Sequence, residues 1–127
     1  MAFKNSKFKH RNLFQAAKAA VFGIFFAFSQ ERNLRIDLVV FIVIGCLAKI
    51  FRFSLVEMII CFLNWVLIVS LEIVNTVFER LIDKMWGEEF NIEVKHLKDM
   101  AAAAVFVLSA CLVIITAVII LAKIFHI

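Results

Sequence analysis

The alternation of long apolar runs with short polar segments predicts four helices. Residues 33–50, 54–84 and 99–124 each contain an apolar run that fits a helix crossing a bilayer. Residues 13–30 hold a strongly apolar stretch of only about ten residues, which is too short to span and predicts an amphipathic helix on the membrane surface. A signal peptide is the competing interpretation of this segment, although no small-residue cleavage site follows it.

The ends of the second and third predicted spans carry boundary signals. Ser54, followed three residues later by Glu57, forms a capping box and predicts that a helix begins there. Gly87 can end the same helix. Residues 85–97 are predicted to form a polar connection, and the third span is predicted to begin near Asp99, where the helix dipole favours an acid.

Composition places the chain among integral membrane proteins. Of its 127 residues 65% are hydrophobic, and mean hydropathy is +1.01, far above an ordinary soluble domain. The apolar runs are continuous rather than alternating, which excludes a closed barrel and favours helices. We therefore expect one all-α membrane domain over residues 1–127. The three cysteines lie inside apolar runs and are interpreted as packing residues.

The distribution of basic residues predicts the orientation and the partner surface. The net charge of +4, without a nucleic-acid-binding motif, favours an anionic membrane over nucleic acid. The positive-inside rule predicts a cytoplasmic N-terminus and an outer C-terminus. Eleven basic residues then lie inside and three outside: Lys4, Lys7, Lys9, Arg11, Lys18, Arg32, Arg35, Arg80, Lys84, Lys95 and Lys98 against Lys49, Arg52 and Lys123.

A stripe of acids and an amide follows the apolar part of the second span. Glu72, Asn75, Glu79 and Asp83 are three or four residues apart, so they share one face of a helix. Such a stripe at a membrane boundary is expensive and marks a functional site by default. Carboxylates with substrate phosphates suit Mg²⁺, and a deeper carboxylate can act as a general base. The alternative is a solvated helix end whose acids pair with neighbouring cations.

Two further polar groups are expected on the same side of the membrane. Glu31 and Arg35 can pair across one helical turn, or Glu31 can complete a metal site across helices. Lys98 and Asp99 are expected at a helix N-terminus, where a lysine and the helix dipole can bind phosphate. No glycine-rich phosphate loop is present, so a nucleotide must be held by metal, basic side chains and helix termini.

Three motifs resemble one known family. They are E-I-V-N-T-V-F-E-R-L-I-D from Glu72, K-D-M-A-A-A-A-V from Lys98, and the segment F-G-I-F-F-A-F-S-Q-E-R-N-L-R-I-D over residues 22–37. Together they resemble the prokaryotic diacylglycerol kinases over residues 13–122. Val77 stands where that family commonly has alanine, and Phe22 where it commonly has lysine.

The resemblance implies an ATP-dependent, homotrimeric lipid kinase whose sites are shared between subunits. By this resemblance Glu72 is the catalytic base, and Glu31 and Glu79 bind Mg²⁺ with the ATP phosphates. The implied remaining nucleotide-binding and active-site positions are Arg35, Asn75, Asp83, Lys98 and Asp99.

The sequence leaves open which lipid is the acceptor and which class of function the protein has. The run E-R-N-L-R-I from Glu31 resembles the undecaprenol kinases of Gram-positive bacteria, which favours undecaprenol over diacylglycerol, although Asp37 departs from their histidine. A non-enzymatic membrane assembly protein would use the same acids to lock helices together. A small ion or proton transporter is a third class, against which the apolar centres of the spans argue.

Overall fold

The computed structural model describes residues 12–87 and 89–126 and contains four helices. They are α1 (Leu13–Gln30), α2 (Arg32–Ile50), α3 (Leu55–Trp86) and α4 (Ile92–Phe125). No strand occurs within the described residues, which confirms the all-α prediction. The basic residues before Asn12, which were counted toward the orientation, lie outside the described part of the chain.

Helix α1 forms a unit of its own, and residues from Glu31 onward form a second unit. The Asn12 side chain accepts a hydrogen bond from the Gln15 backbone N–H at 2.9 Å and caps the start of α1. No residue of α1 is buried, and Phe22 stacks on Phe26 with ring centroids 6.3 Å apart. The helix therefore presents apolar side chains to its surroundings, as expected of a segment in contact with lipid.

Helix α3 packs against both α2 and α4 in the second unit. Three contacts show that α3 and α4 are antiparallel, because rising numbers on α3 meet falling numbers on α4: Glu57 with Lys123, Cys61 with Thr116 and Asp83 with Lys98. Helices α2 and α3 meet where the Trp65 indole N–H donates to the Asp37 backbone carbonyl at 2.9 Å and its ring stacks on Phe41.

The buried core is small, and most large apolar side chains are exposed. A cluster of buried residues lies where the three helices meet: Ala48, Phe53, Cys61, Ile68 and Leu112. In water, such an apolar exterior would be a severe aggregation hazard. In a bilayer it is the surface that lipid chains cover, so the exterior agrees with a membrane protein.

Three of the helices are long and apolar enough to cross a membrane, namely α1, α3 and α4. They indicate a multi-pass membrane protein, which is the predicted class, although this set contains α1 in place of the predicted span over residues 33–50. Helix α2 is absent from this set because Arg35, Asp37 and Lys49 interrupt its apolar stretch. The assignments of residues 33–50 to a span and of residues 13–30 to the membrane surface stay predictions, as does the single domain over 1–127.

The boundary signals of α3 are confirmed. Ser54 Oγ accepts from the Glu57 backbone N–H at 3.3 Å, and Glu57 Oε2 accepts from the Ser54 N–H at 2.5 Å, which completes the capping box. Gly87 follows the last turn with φ at 67°, in the left-handed region that glycine occupies without strain.

The prediction of a polar connection over residues 85–97 is wrong for most of that segment. Asn91 Oδ1 accepts from the backbone N–H groups of Glu93 and Val94, so α4 begins at Ile92. The connection is therefore only a few residues long. The sequence did not indicate this part of α4, because its first two turns are largely exposed and rich in charged side chains. Such side chains remove the apolar periodicity by which a helix is recognised.

Candidate active site

Burial falls steadily along the stripe on α3. Glu72 is 4% exposed and Asn75 8% exposed, Glu79 is partly buried, and Asp83 is exposed. The stripe therefore runs from the packed middle of the helix to a solvent-accessible end. Its deep members require a reason for their burial, because polar groups without partners are costly inside a protein.

The three deepest residues of the stripe line one groove of about 300 Å³. The groove lies between α2, α3 and α4, and each helix contributes to its wall: Asn33, Ile36 and Asp37; Glu72, Asn75 and Glu79; Ala102, Val105, Phe106 and Ser109. The small side chains of Ala102 and Ser109 leave room opposite the acids. The groove is acidic at its centre and apolar along one wall, so it can hold a polar group attached to an apolar chain.

Glu72 has no hydrogen bond or ion pair with any described residue. This is unusual for a buried carboxylate, because desolvation without compensation destabilises the folded state. A side chain that only locked helices together would be paired with a neighbouring donor. The Glu72 carboxylate instead faces the groove as a free acceptor.

Asn75 lies between Glu72 and Glu79 on the stripe and contacts Glu79. Its Nδ2 donates to Glu79 Oε1 at 3.2 Å, while its Oδ1 is buried without a partner. The hydrogen bond holds the Glu79 carboxylate in place one turn further along the stripe. The unpaired carbonyl oxygen is a second acceptor in the same groove.

Asp37 is a groove residue that the sequence analysis did not assign to the site. Its Oδ2 is buried without a partner, and the Trp65 bond to its backbone carbonyl fixes the local position of α2. Asn33, one turn earlier, lies on the same wall. The signal that could have found them is the four-residue spacing of Asn33 and Asp37, which places both on one helical face.

Glu31 does not line this groove. Its Oε1 accepts from Arg80 Nη2 at 2.6 Å, with the Glu31 side chain 28% exposed and that of Arg80 51% exposed. The pair joins the residue that precedes α2 to the last third of α3. Arg35 lies on α2 and is also absent from the groove lining.

Asp83 and Lys98 line a second cleft of about 300 Å³ where α3 turns into α4. The two side chains form an ion pair across the turn. The lining also includes the aromatic side chains of Trp86 and Phe90 and the charged side chains of Lys95 and Glu89. The cleft therefore combines two aromatic rings with two lysines and two acids, Asp83 and Glu89.

The expectation that Lys98 and Asp99 stand at a helix N-terminus is wrong. Because α4 begins at Ile92, both residues lie about two turns inside the helix, where the backbone N–H groups already have partners. Asp99 pairs with Lys95 at 2.6 Å and does not line the cleft. Any phosphate contact here must come from side chains rather than from the helix end.

The oxygen donors of the groove fit a magnesium ion in part. No group of three His, Cys, Asp or Glu side chains that could hold a metal occurs in the described part of the chain. Mg²⁺ needs only one or two protein carboxylates when substrate phosphates supply further oxygens. The Glu79 carboxylate is a ligand of that kind, and the unpaired amide oxygen Oδ1 of Asn75 is an additional oxygen donor.

Comparisons with known proteins identify the family of the chain. A curated relative from Synechocystis sp., named diacylglycerol kinase, is 28% identical over 104 residues, which cover 82% of this chain and 59% of that protein. The chain thus spans well under two thirds of that relative's length. No solved structure gives a significant match. The family model described as prokaryotic diacylglycerol kinase matches residues 18–121, and the chain therefore belongs to the prokaryotic diacylglycerol kinase family.

Proposed function

We propose that the protein transfers the terminal phosphoryl group of ATP to the hydroxyl of a membrane lipid. The observation that carries the proposal is the buried, unpaired Glu72 in a groove that is acidic at its centre and apolar along one wall. Family membership and the name of the curated relative support a lipid kinase. The structure of the groove suits an acceptor with a polar head and an apolar tail.

Glu72 is the proposed general base. The lipid hydroxyl donates a hydrogen bond to the free carboxylate, which orients the oxygen and takes its proton. As the new bond from this oxygen to the terminal phosphorus forms, the bond between that phosphorus and the bridging oxygen of ATP breaks, and ADP leaves with the bridging oxygen. Holding the lipid hydroxyl close to the terminal phosphate of ATP, in the correct orientation, supplies much of the rate enhancement. The protein forms no covalent bond with either substrate in such a direct transfer. A membrane interface that is poor in water strengthens each of these interactions.

Glu79 and Asn75 are the proposed protein ligands of Mg²⁺, with Glu31 as the further carboxylate that the family resemblance implies. A bound magnesium ion supplies Lewis-acid neutralisation of the ATP phosphates. Glu79 is held for this role by the hydrogen bond from Asn75. Arg80 pairs with Oε1 of Glu31 and so competes with Mg²⁺ for the negative charge of this carboxylate.

The cleft at the α3–α4 turn is the proposed nucleotide-binding region. Trp86 and Phe90 can pack against a base, and Lys95 and Lys98 can neutralise phosphates. Asp83 and Glu79 are one helical turn apart, so phosphates bound near the cleft lie within reach of the groove. Arg35 and Asp99 stay predicted contributors on the strength of the family resemblance.

Undecaprenol is the proposed acceptor, and diacylglycerol is the second candidate. The run from Glu31 to Ile36 supports undecaprenol by its resemblance to Gram-positive undecaprenol kinases. The name of the Synechocystis relative, diacylglycerol kinase, favours diacylglycerol. Asp37, on the wall of the groove, stands where those undecaprenol kinases carry histidine, which makes it a candidate determinant of acceptor choice.

The assembly is proposed to be a homotrimer with its N-terminus in the cytoplasm, where ATP is available. Glu31 and Glu79 have separate partners within one chain, which is compatible with carboxylates contributed by two subunits. Mixing inactive Glu31→Gln chains with inactive Glu72→Gln chains tests this arrangement. Recovered activity supports shared sites, and no recovery above either variant alone contradicts them.

The decisive assay follows ³²P from ATP into lipid with purified protein. Undecaprenol and diacylglycerol are compared in the same vesicles, with and without Mg²⁺. Labelled undecaprenyl phosphate as the main product supports the first acceptor, and phosphatidic acid supports the second. No transfer to any lipid alcohol would leave the assembly protein as the better explanation of the acidic stripe.

A further inference from the structure

A further cleft, of about 490 Å³, lies at the other end of α3, beside its turn from α2. Its lining consists mainly of apolar side chains from both helices, with two cations: Phe41, Ile44, Gly45, Ala48, Lys49, Arg52, Phe53, Met58, Cys61 and Phe62. Along α3, Met58 lies about 20 Å from Glu72 at 1.5 Å per residue. This cleft is therefore separate from the candidate active site.

The two cations of this cleft have no counter-charge in the described part of the chain. Lys49 and Arg52 are exposed, and neither makes a side-chain hydrogen bond or an ion pair there. The acid closest in sequence, Glu57, already accepts from Lys123 at 3.1 Å and from the Ser54 backbone N–H. An apolar cleft thus carries two uncompensated positive charges, which is complementary to an anionic amphiphile.

Arg52 occupies its position at a conformational cost. Its φ is 52°, in the left-handed region where glycine or asparagine is ordinarily found. A glycine at this turn would remove the strain. An arginine there is understandable if its charged side chain has a function that outweighs the strain.

The location of the turn matches the depth of lipid headgroups. Helix α3 is a candidate membrane span and begins at Leu55, directly after the turn. Arg52 therefore lies at the boundary of the membrane, where lipid phosphates are found, and the aromatic side chains of Phe41 and Phe62 line the apolar part of the cleft. A phosphate at the cations and an acyl chain along the rings can be accommodated together.

We propose that this cleft binds an acidic phospholipid, with its phosphate at Lys49 and Arg52 and one acyl chain against Phe41 and Phe62. The occupant is a bound lipid rather than a substrate, because no carboxylate lines the cleft. A zwitterionic lipid fits less well, since its own cationic headgroup opposes the two protein cations. This site goes beyond the proposed kinase activity and does not depend on it.

Trp65 provides a local reporter of the cleft. Its ring stacks on Phe41 with centroids 4.3 Å apart, and a Trp86→Phe variant leaves it as the only tryptophan. The variant is placed in phosphatidylcholine vesicles that contain brominated phosphatidylglycerol or, at the same mole fraction, brominated phosphatidylcholine. We expect the brominated acidic lipid to quench Trp65 fluorescence at about tenfold lower mole fraction, given the gain per cation near anionic lipid.

The controls separate specific binding from general attraction to a basic protein. Adding Lys49→Gln and Arg52→Gln is expected to abolish the difference between the two lipids. Removing two other exposed cations, by Arg32→Gln and Lys84→Gln, is expected to leave it unchanged. The charge-preserving pair Lys49→Arg and Arg52→Lys should retain the preference.

Two results would overturn the proposal. One is equal quenching by the two brominated lipids in the Trp86→Phe protein. The other is a preference that survives loss of both cleft cations while the protein keeps its helical circular dichroism. If the Lys49→Gln and Arg52→Gln protein does not fold, Arg52→Gly alone serves instead, and an undiminished preference in that variant also overturns the proposal.

Discussion

The Glu31 carboxylate accepts a hydrogen bond from Arg80 Nη2 at 2.6 Å and so connects the start of α2 to α3. The sequence assigns Glu31 to a metal site through its family resemblance, whereas in the structure a cation already neutralises it. Both observations are compatible if Arg80 and Mg²⁺ compete for the same carboxylate. In that case Arg80 neutralises the Glu31 carboxylate as long as no Mg²⁺ is bound.

Replacement of Arg80 by glutamine is expected to lower the Mg²⁺ concentration needed for half-maximal phosphoryl transfer. The free energy of unfolding should change by less than about 1 kcal/mol, because exposed ion pairs contribute little. A magnesium titration of activity and thermal unfolding in detergent measure the two effects. Lys84→Gln, which removes an exposed and unpaired cation on the same helix, is the control; an unchanged magnesium requirement in Arg80→Gln would contradict the competition.

Replacement of Glu72 by glutamine is expected to reduce kcat for lipid phosphorylation by at least about a hundredfold, the usual contribution of a general base. The same change should leave thermal stability unchanged or raise it, because it removes a buried charge that has no partner. Radiolabel transfer and thermal unfolding together give the result.

Glu57→Gln is the matched control for Glu72→Gln, because it makes the same change near the other end of α3. Glu57 is paired with Lys123 and with the Ser54 backbone, so its loss should lower stability while activity is kept. A protein that used Glu72 only to hold helices together would lose stability in Glu72→Gln as well. That outcome would remove Glu72 from the proposed mechanism.

Replacement of Lys98 by glutamine is expected to raise KM for ATP by about tenfold, the scale of one charge-assisted hydrogen bond. The KM for the lipid should stay the same, because Lys98 lines the cleft at the α3–α4 turn and not the groove around Glu72. Steady-state kinetics with each substrate varied in turn distinguish the two. A rise in lipid KM alone would mean that the cleft does not bind the nucleotide.

Replacement of Asp37 by histidine is expected to increase the ratio of undecaprenol to diacylglycerol phosphorylation. The Asp37 side chain lies on the groove wall with an unpaired Oδ2. A substitution there changes the charge and the hydrogen-bonding groups that surround the lipid acceptor beside Glu72. The ratio is measured in mixed vesicles that contain both lipids. Asp83→His, in the other cleft, is the comparison variant, and equal ratios in Asp37→His and the unmodified protein would exclude Asp37 from acceptor choice.

Replacement of Trp65 by phenylalanine is expected to lower the free energy of unfolding by about 1 kcal/mol, since it removes one partly buried hydrogen bond but keeps an aromatic ring on Phe41. Trp86→Phe, at an exposed position that has no such bond, should have a smaller effect. Thermal unfolding of the two variants in the same detergent provides the comparison. Equal losses of stability would show that the bond to the Asp37 carbonyl contributes little.

The sequence alone determined the helical membrane class and the boundaries of α3. Long apolar runs can satisfy their backbone groups in lipid only as helices, and the capping residues Ser54 and Gly87 act on immediate neighbours. The shared face of Glu72, Asn75 and Glu79 also followed from helical spacing. These features are local, so a linear pattern contains the information that they need.

Only the tertiary structure decided which of these residues meet other helices and which have partners. Asp37 came to line the groove because α2 packs on α3 through Trp65, and Glu31 was paired with Arg80, 49 positions away. The start of α4 at Ile92 moved Lys98 and Asp99 away from a helix end. Partners that are distant along the chain are set by helix packing, and the spacing of residues within one helix does not specify it.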